Sequence, residues 1–350
     1  MLAERLTAQL IAGEPARDPV AVAERLLAIQ GQDPNGARLA VRARTIGTGV
    51  SAADVDRALT DDRSLLITWV NRGTLHLIRS EDYPLLQTLM TPPLRTASAR
   101  RLQQEGVPPA DAERAIATVE RALAEDGPLT REQLRDRVEA IGVRTARQAL
   151  VHTLMAASLH GLIVRGPLVG RRHAFVLVRD WLGEEATKPV ERERALAELA
   201  RRYLAGHGPA SDRDLARWAG LPLRDVRAGL SAIASELEQR PDGLVDIARR
   251  TPPAEPPPPR LLGPFEPLLL GWASREAVLG EHTGVVTVNG IFHPVALVRG
   301  RAVAIWRRDR EGVVLEPFDA LARSDAAALR RDAADIDRFL GATAGQSQGR

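Results

Sequence analysis

The segment Gly127-Pro128-Leu129-Thr130-Arg131-Glu132-Gln133-Leu134 returns 81 residues later as Gly208-Pro209-Ala210-Ser211-Asp212-Arg213-Asp214-Leu215. A repeat at that distance requires the chain to build one supersecondary unit at least twice. Each copy carries a helix start. Thr130 and Ser211 are N-cap residues, and Gln133 and Asp214, three positions on, complete the pattern of a capping box. The periodicity places an amphipathic helix before each copy (about 111–125 and 191–206) and another after it (about 145–161 and 222–238). Short β-prone runs follow, Leu162-Ile163-Val164-Arg165 and Leu244-Val245-Asp246-Ile247.

Helix, helix, turn, helix and hairpin is the order of a winged helix. In the first copy the hairpin is complete: LIVRGP, a basic tip at Gly170-Arg171-Arg172-His173, then AFVLV. The N-terminal segment fits the same plan, with helices at about 2–12, 19–30 and 51–61 and strands 65–69 and 74–78 around Asn71-Arg72-Gly73. After the Pro-rich run 251–260 the pattern turns strand-like. VVTVNG, HPVALVRG, RAVAIWRRD and GVVLEPF predict an antiparallel sheet with turns at Asn289-Gly290 and Arg299-Gly300-Arg301, then a helix at about 323–340. The expected fold is α+β: three tandem winged-helix units (1–100, 101–185, 186–250), a linker (251–260), a small C-terminal β domain with its helix (261–340) and a disordered tail (341–350).

Composition narrows the chemistry. The 350 residues include no cysteine, which excludes disulfides, thiolate metal sites and a cysteine nucleophile. Lys188 is the one lysine among 48 basic residues, so Schiff-base chemistry would rest on it or on the N-terminal amine. Arginine is a forked donor suited to phosphate and guanine, although a GC-rich genome gives the same bias. The histidines show no metal-ligand spacing, and Gly47-Thr48-Gly49 lacks the context of a phosphate loop. No metal and no cofactor are expected. The N-terminus lacks a signal-peptide layout and no apolar run approaches a membrane span, so the chain is expected to be cytoplasmic, associated with the nucleoid, monomeric and without a membrane partner.

Gln30-Gly31-Gln32-Asp33 places two carboxamides where a helix runs into a turn. An amide can hold a water through its carbonyl oxygen and donate through its NH₂, but it is too weak a base to make hydroxide. Polar residues at a helix end would look the same. Asp33 could act as a base, or could shape the turn Asp33-Pro34-Asn35-Gly36. Arg72, Thr74 and His76 on the first wing, and Arg171, Arg172 and His173 on the second, are candidate DNA contacts; alternation puts Thr74 and His76 on one face. Arg275 and Arg301 are further candidates, and Trp69, Trp272 and Trp306 are expected in the core.

Four stretches carry a family resemblance: IQGQD, TWVNRGTLHL, LLGPFEPLLLGWASREAVL and PVALVRGRAVAIWRR. With them the chain resembles, from about residue 2 to 340, the AlkZ/AlkX (YcaQ)-type winged-helix DNA glycosylases, which remove bulky alkylated purines and interstrand crosslinks. The family motif is Gln, a variable residue, then Gln or Asp. It falls on Gln30, Gly31 and Gln32 and implies the Gln/Gln subgroup, with glycine as an unusual middle residue. The resemblance implies a monofunctional enzyme that hydrolyses the N-glycosidic bond of N7-alkylated purines in double-stranded DNA, in repair or self-resistance. A non-catalytic winged-helix DNA-binding or regulatory protein is the alternative.

Overall fold

The computed structural model describes residues 1–170, 172–309 and 312–341. Two compact units emerge. One combines Met1–Val55, Ala197–Trp218 and the chain from Pro222 onwards; the other combines Asp56–Leu196 with Ala219–Leu221. Helices and strands occur in both. The expected division into consecutive pieces differs from these units, because the segment after the Pro-rich run folds back onto the N-terminal helices.

Both copies of the repeat form as the sequence predicts. Helices Pro109–Asp126, Arg131–Ala140 and Ala149–Leu159 precede the hairpin Ile163–Val169/Arg172–Leu177. Helices Arg192–His207, Asp212–Ala219 and Leu223–Ala232 precede the smaller hairpin Leu237–Gln239/Val245–Ile247. The repeated segment plays the same part in each. Leu129 and Thr130 pair with Phe175 and Ala174, while Ala210 exchanges backbone hydrogen bonds with Val245. Both capping boxes close: the Thr130 and Gln133 side chains each bond the other's backbone N–H, as do those of Ser211 and Asp214.

In the unit built on Asp56–Leu196, the hairpin Leu65–Val70/Thr74–Arg79 has the expected register, with Thr68 opposite His76. It does not stand alone. Ile67 lies opposite Arg165, so the first and second hairpins share one sheet, in the order Thr74–Arg79, Leu65–Val70, Ile163–Val169, Arg172–Leu177, Leu129–Thr130. All six residues of Leu65–Val70 are buried, and such a strand needs a partner along each edge.

The C-terminal sheet departs from expectation at one edge. Its order is Val313–Pro317, Arg301–Arg308, Val295–Val298, Arg260–Leu262. The turn Arg299-Gly300 is as predicted, both residues having positive φ as a two-residue hairpin of this type requires. The expected strand VVTVNG is reduced to a single bridge, Val286 with Phe292. Its place belongs to Arg260–Leu262, whose Leu261 N–H donates to Asp332 on the final helix, Arg323–Phe339. Leu39, Leu261, Ala304, Trp306 and Ile336 share the core beneath.

Among helices of eight residues or more, three escape the sequence pattern: Pro34–Arg42, Tyr83–Met90 and Pro92–Gln104. Each has a proline in its first turn, where the missing N–H costs nothing. Of the tail, residues from 342 onwards lie outside the described residues.

Two histidines are buried and neutral. Burial, opposed by a contact with the Tyr203 carbonyl, lowers the pKa of His207 to about 3; burial likewise lowers that of His76 to about 4. Both values fall below the 6.5 of an exposed histidine, so below that pH the unfolded chain takes up protons that the folded chain refuses. Stability is full above pH 6.5 and declines from there towards pH 4, by about 1.4 kcal/mol per pH unit for each histidine. His207→Gln should flatten this decline in melts of the protein between pH 7 and 4.5; an unchanged slope refutes the assignment. Thr130→Ala and Ser211→Ala should each cost about 1 kcal/mol in denaturant unfolding.

Candidate active site

Helix Pro19–Leu26 ends where Leu27 turns to φ 63°, and the chain runs extended through Ile29–Gln30 before Gly31 and Gln32. The next helix, Pro34–Arg42, starts at once. Asp33 is its N-cap, its Oδ1 accepting from the Gly36 N–H at 2.8 Å. The Asp-Pro signature therefore opens a helix, where the sequence suggested only a turn. Asp33 is engaged as a cap, which accounts for a carboxylate at this position without catalysis.

The two glutamines touch. Gln30 is buried, Gln32 is exposed, and Gln30 Nε2 donates to Gln32 Oε1 at 3.0 Å. The buried amide thus fixes the orientation of the exposed one. Gln32 Oε1 keeps a second lone pair, and its NH₂ remains a donor pair.

Close backbone contacts hold the motif from both sides. A Cβ on Gly206 would stand 2.2 Å from the Arg25 carbonyl oxygen, and one on Gly36 would stand 2.6 Å from that of Pro264. A Cβ on Gly263 would in turn stand 2.8 Å from the Leu39 side chain. Charge reinforces the contacts. Arg42, on the helix after the motif, forks onto Asp332 at 2.6 and 3.0 Å and reaches Asp335 at 2.9 Å. Arg44 meets Glu266 at 2.6 Å and the Gln9 side chain at 3.0 Å, all three buried. LLGPFEPLLLGW is thus a structural support, since Trp272 also donates to the His207 carbonyl and packs on its ring.

The other expected contacts separate into exposed and packed side chains. Arg72 is exposed in the tight turn Asn71–Gly73 at φ 58°, and Thr74 Oγ1 closes that turn onto the Asn71 carbonyl. His76 shares a face with Thr74 but is buried and neutral, so it offers no cation to a phosphate. Arg172 is exposed and pairs with Glu132 at 3.2 Å; His173 is partly buried; Arg171 lies outside the described residues. Arg275 donates to the Leu269 carbonyl and lies over the Phe292 ring, whereas Arg301 is exposed. Trp69, Trp272 and Trp306 are buried. Sequence inspection passed over Arg42, Arg44 and Glu266. Arg42 closes a predominantly buried helix and Arg44 follows it, and that setting is the one signal of the two arginines; Glu266 carries none.

Residues 23–339 match the family model described as DNA glycosylase AlkZ-like. The chain is similar to an interstrand DNA cross-link repair glycosylase of Streptomyces sahachiroi, 28% identical over 349 residues that cover 94% of this chain and 93% of that protein. Among solved structures it is similar to the Streptomyces sahachiroi DNA glycosylase AlkZ, with a TM-score of 0.77 and 26% identity, covering 97% and 95% of the two chains.

Gly206→Ala should destabilise the protein by about 1–3 kcal/mol, since the obstruction is backbone. The same variant should shift the side-chain amide resonances of Gln30 and Gln32 in ¹⁵N spectra. Unmoved resonances would show that this contact does not hold the motif.

Proposed function

The chain belongs to the AlkZ-like DNA glycosylase family, and from that membership we propose that Gln30 and Gln32 hold the water that attacks C1′ of an N7-alkylated purine nucleotide in duplex DNA. The activity is that of a DNA N-glycosylase. The observation that carries the assignment is the 3.0 Å bond from buried Gln30 to exposed Gln32. One amide spends a donor to aim the other's oxygen, and that oxygen retains a lone pair for a water.

The chemistry suits weak groups. A purine alkylated at N7 is cationic, so when its bond to C1′ breaks the electron pair moves to N9 and the base leaves neutral. Water then adds to C1′ and gives up a proton to solvent. The protein needs only to place the water and tolerate an oxocarbenium-like sugar, which is a matter of position and dipoles. An unalkylated purine would leave as an anion, and nothing in the amide pair could protonate it. Selectivity for alkylated bases follows from that weakness.

On this reading the enzyme is of the Gln/Gln subgroup, is monofunctional and leaves the strand intact. Bulky adducts or crosslinks are its proposed substrates, supported by the name of the Streptomyces sahachiroi relative. The helices and hairpins around the two repeat copies, and the N-terminal hairpin, are read as tandem winged helices. Exposed Arg72 and Arg172 in the hairpins and exposed Arg301 in the C-terminal sheet are proposed DNA contacts, and the protein is taken to act as a cytoplasmic monomer.

Free-base release from a duplex containing N7-methylguanine, under single turnover, tests the assignment. Gln32→Ala should slow release by about a hundredfold, and Gln30→Ala with Gln32→Ala should cost little more, because the pair acts as one device. Asp33→Asn should keep both the rate and the melting temperature, asparagine being an equal cap. Full activity of the double variant would remove the glutamines from the mechanism, and a hundredfold loss in Asp33→Asn would install the carboxylate as base.

A further inference from the structure

The buried arginines of this protein are supplied with acceptors. Arg42 and Arg44 have carboxylates, Arg260 has the carbonyls of Ile11 and Ala43, and Arg250 has Asp246. Arg165 differs. It sits mid-sheet on Ile163–Val169, opposite Ile67 on one side and Phe175 on the other. Its guanidinium carbon is 4.9 Å from the centre of the Phe175 ring and 5.3 Å from that of Trp69. The two rings are nearly parallel, 11° apart, with centres separated by 6.3 Å. Nε is buried without a hydrogen-bond partner, and among the described residues the guanidinium has neither an acceptor nor a carboxylate.

The charges near it do not compensate. Burial first, and then the charge of Arg131, lower the pKa of Arg165 to about 10, so it is a cation at neutral pH. Arg131 follows Leu129, which lies opposite Phe175, and its own side chain is exposed. A cation half withdrawn from water without an anion is costly, and contact with two rings returns only part of that cost. Arg165 as a whole is half-buried, which leaves its side chain a route to solvent. Aromatic walls with an open forked donor form a receptor for an oxyanion.

We propose that Arg165, held against Trp69 and Phe175 and flanked by Arg131, receives a backbone phosphodiester of the DNA. The proposal takes its ligand from the DNA glycosylase activity of the family and does not depend on the roles of Gln30 and Gln32. A phosphate suits the site, because both rings lie to one side of the guanidinium and its other side can offer donors to an anion, a contact that carries no sequence information.

Binding of two undamaged duplexes of unrelated sequence, followed by fluorescence anisotropy across a salt series, tests it. Arg165→Gln should weaken both equally, by about tenfold at low salt, and reduce the slope of log K against log salt by about 0.9, the value for one phosphate. The melting temperature of the free protein should hold or rise, since an uncompensated charge is removed. Arg165→Lys should keep the slope and lose affinity, a point charge replacing a fork; it carries the test if the glutamine variant does not fold. Wild-type affinity and slope in Arg165→Gln would overturn the proposal. So would a lowered melting temperature with an unchanged slope, which marks a structural arginine, or a loss confined to one sequence, which marks a base contact. Base release by the unsubstituted enzyme, run in parallel on alkylated duplex, separates failure of this contact from failure of the catalytic assignment.

Discussion

Arg42 and Arg44 bear the constraint on which the candidate site depends. Two guanidiniums, each almost fully buried, leave the end of one short helix for separate partners, Arg42 for Asp332 and Asp335, Arg44 for Glu266 and Gln9. A buried pair adds little net stability over well-packed apolar groups, but breaking one leaves a charge stranded at a cost of about 3–5 kcal/mol. Such pairs therefore act on geometry. The helix after Gln30-Gly31-Gln32 cannot slide or roll without parting charges that are largely shielded from solvent, and so the motif inherits a fixed position from residues more than 200 places away in sequence.

Steric contacts supply what charge cannot. Ion pairs resist separation but tolerate small displacements, whereas a backbone carbonyl under a glycine Cα tolerates almost none. Gly206 beneath Arg25 and Gly36 against Pro264 fix the entry and exit of the motif at the scale of tenths of an ångström. That scale matters for amides more than for ionised groups. A carboxylate attracts a water from many directions, while a carboxamide works only along its lone pairs.

Much of this was legible in the sequence where the signal is local. The repeat at Thr130 and Ser211, the hairpins at Asn71-Arg72-Gly73 and Arg299-Gly300, and the final helix depend on near neighbours and formed as read. The misses have a common cause. Helix Pro34–Arg42 has an apolar face, and Arg42 at its end and Arg44 just after it look solvated until Asp332 and Glu266 are folded over them. Strand Arg260–Leu262 follows a Pro-rich run and is too short to show a period; its pairing comes from Val295–Val298 and the Asp332 carboxylate. Nor could a sequence tell Arg165 from its neighbours, since what marks it is the lack of an anion in three dimensions. The glutamines stood out as residue types, but only the structure shows one amide serving the other.

Rigidity and weakness belong together in such a site. A strong base or acid would force many leaving groups from a sugar, and then recognition alone would have to protect the normal bases of DNA. With two amides the limit is set by chemistry: the proposed water can complete only a departure that alkylation has already begun, because no group here can neutralise an anionic purine. A looser mount would lose rate on the alkylated base without gaining any on the normal one. On the proposed mechanism, the buried arginines and tight glycines around Gln30 and Gln32 would raise the one rate that this chemistry permits, while its upper bound on unmodified DNA would stay where the amides place it.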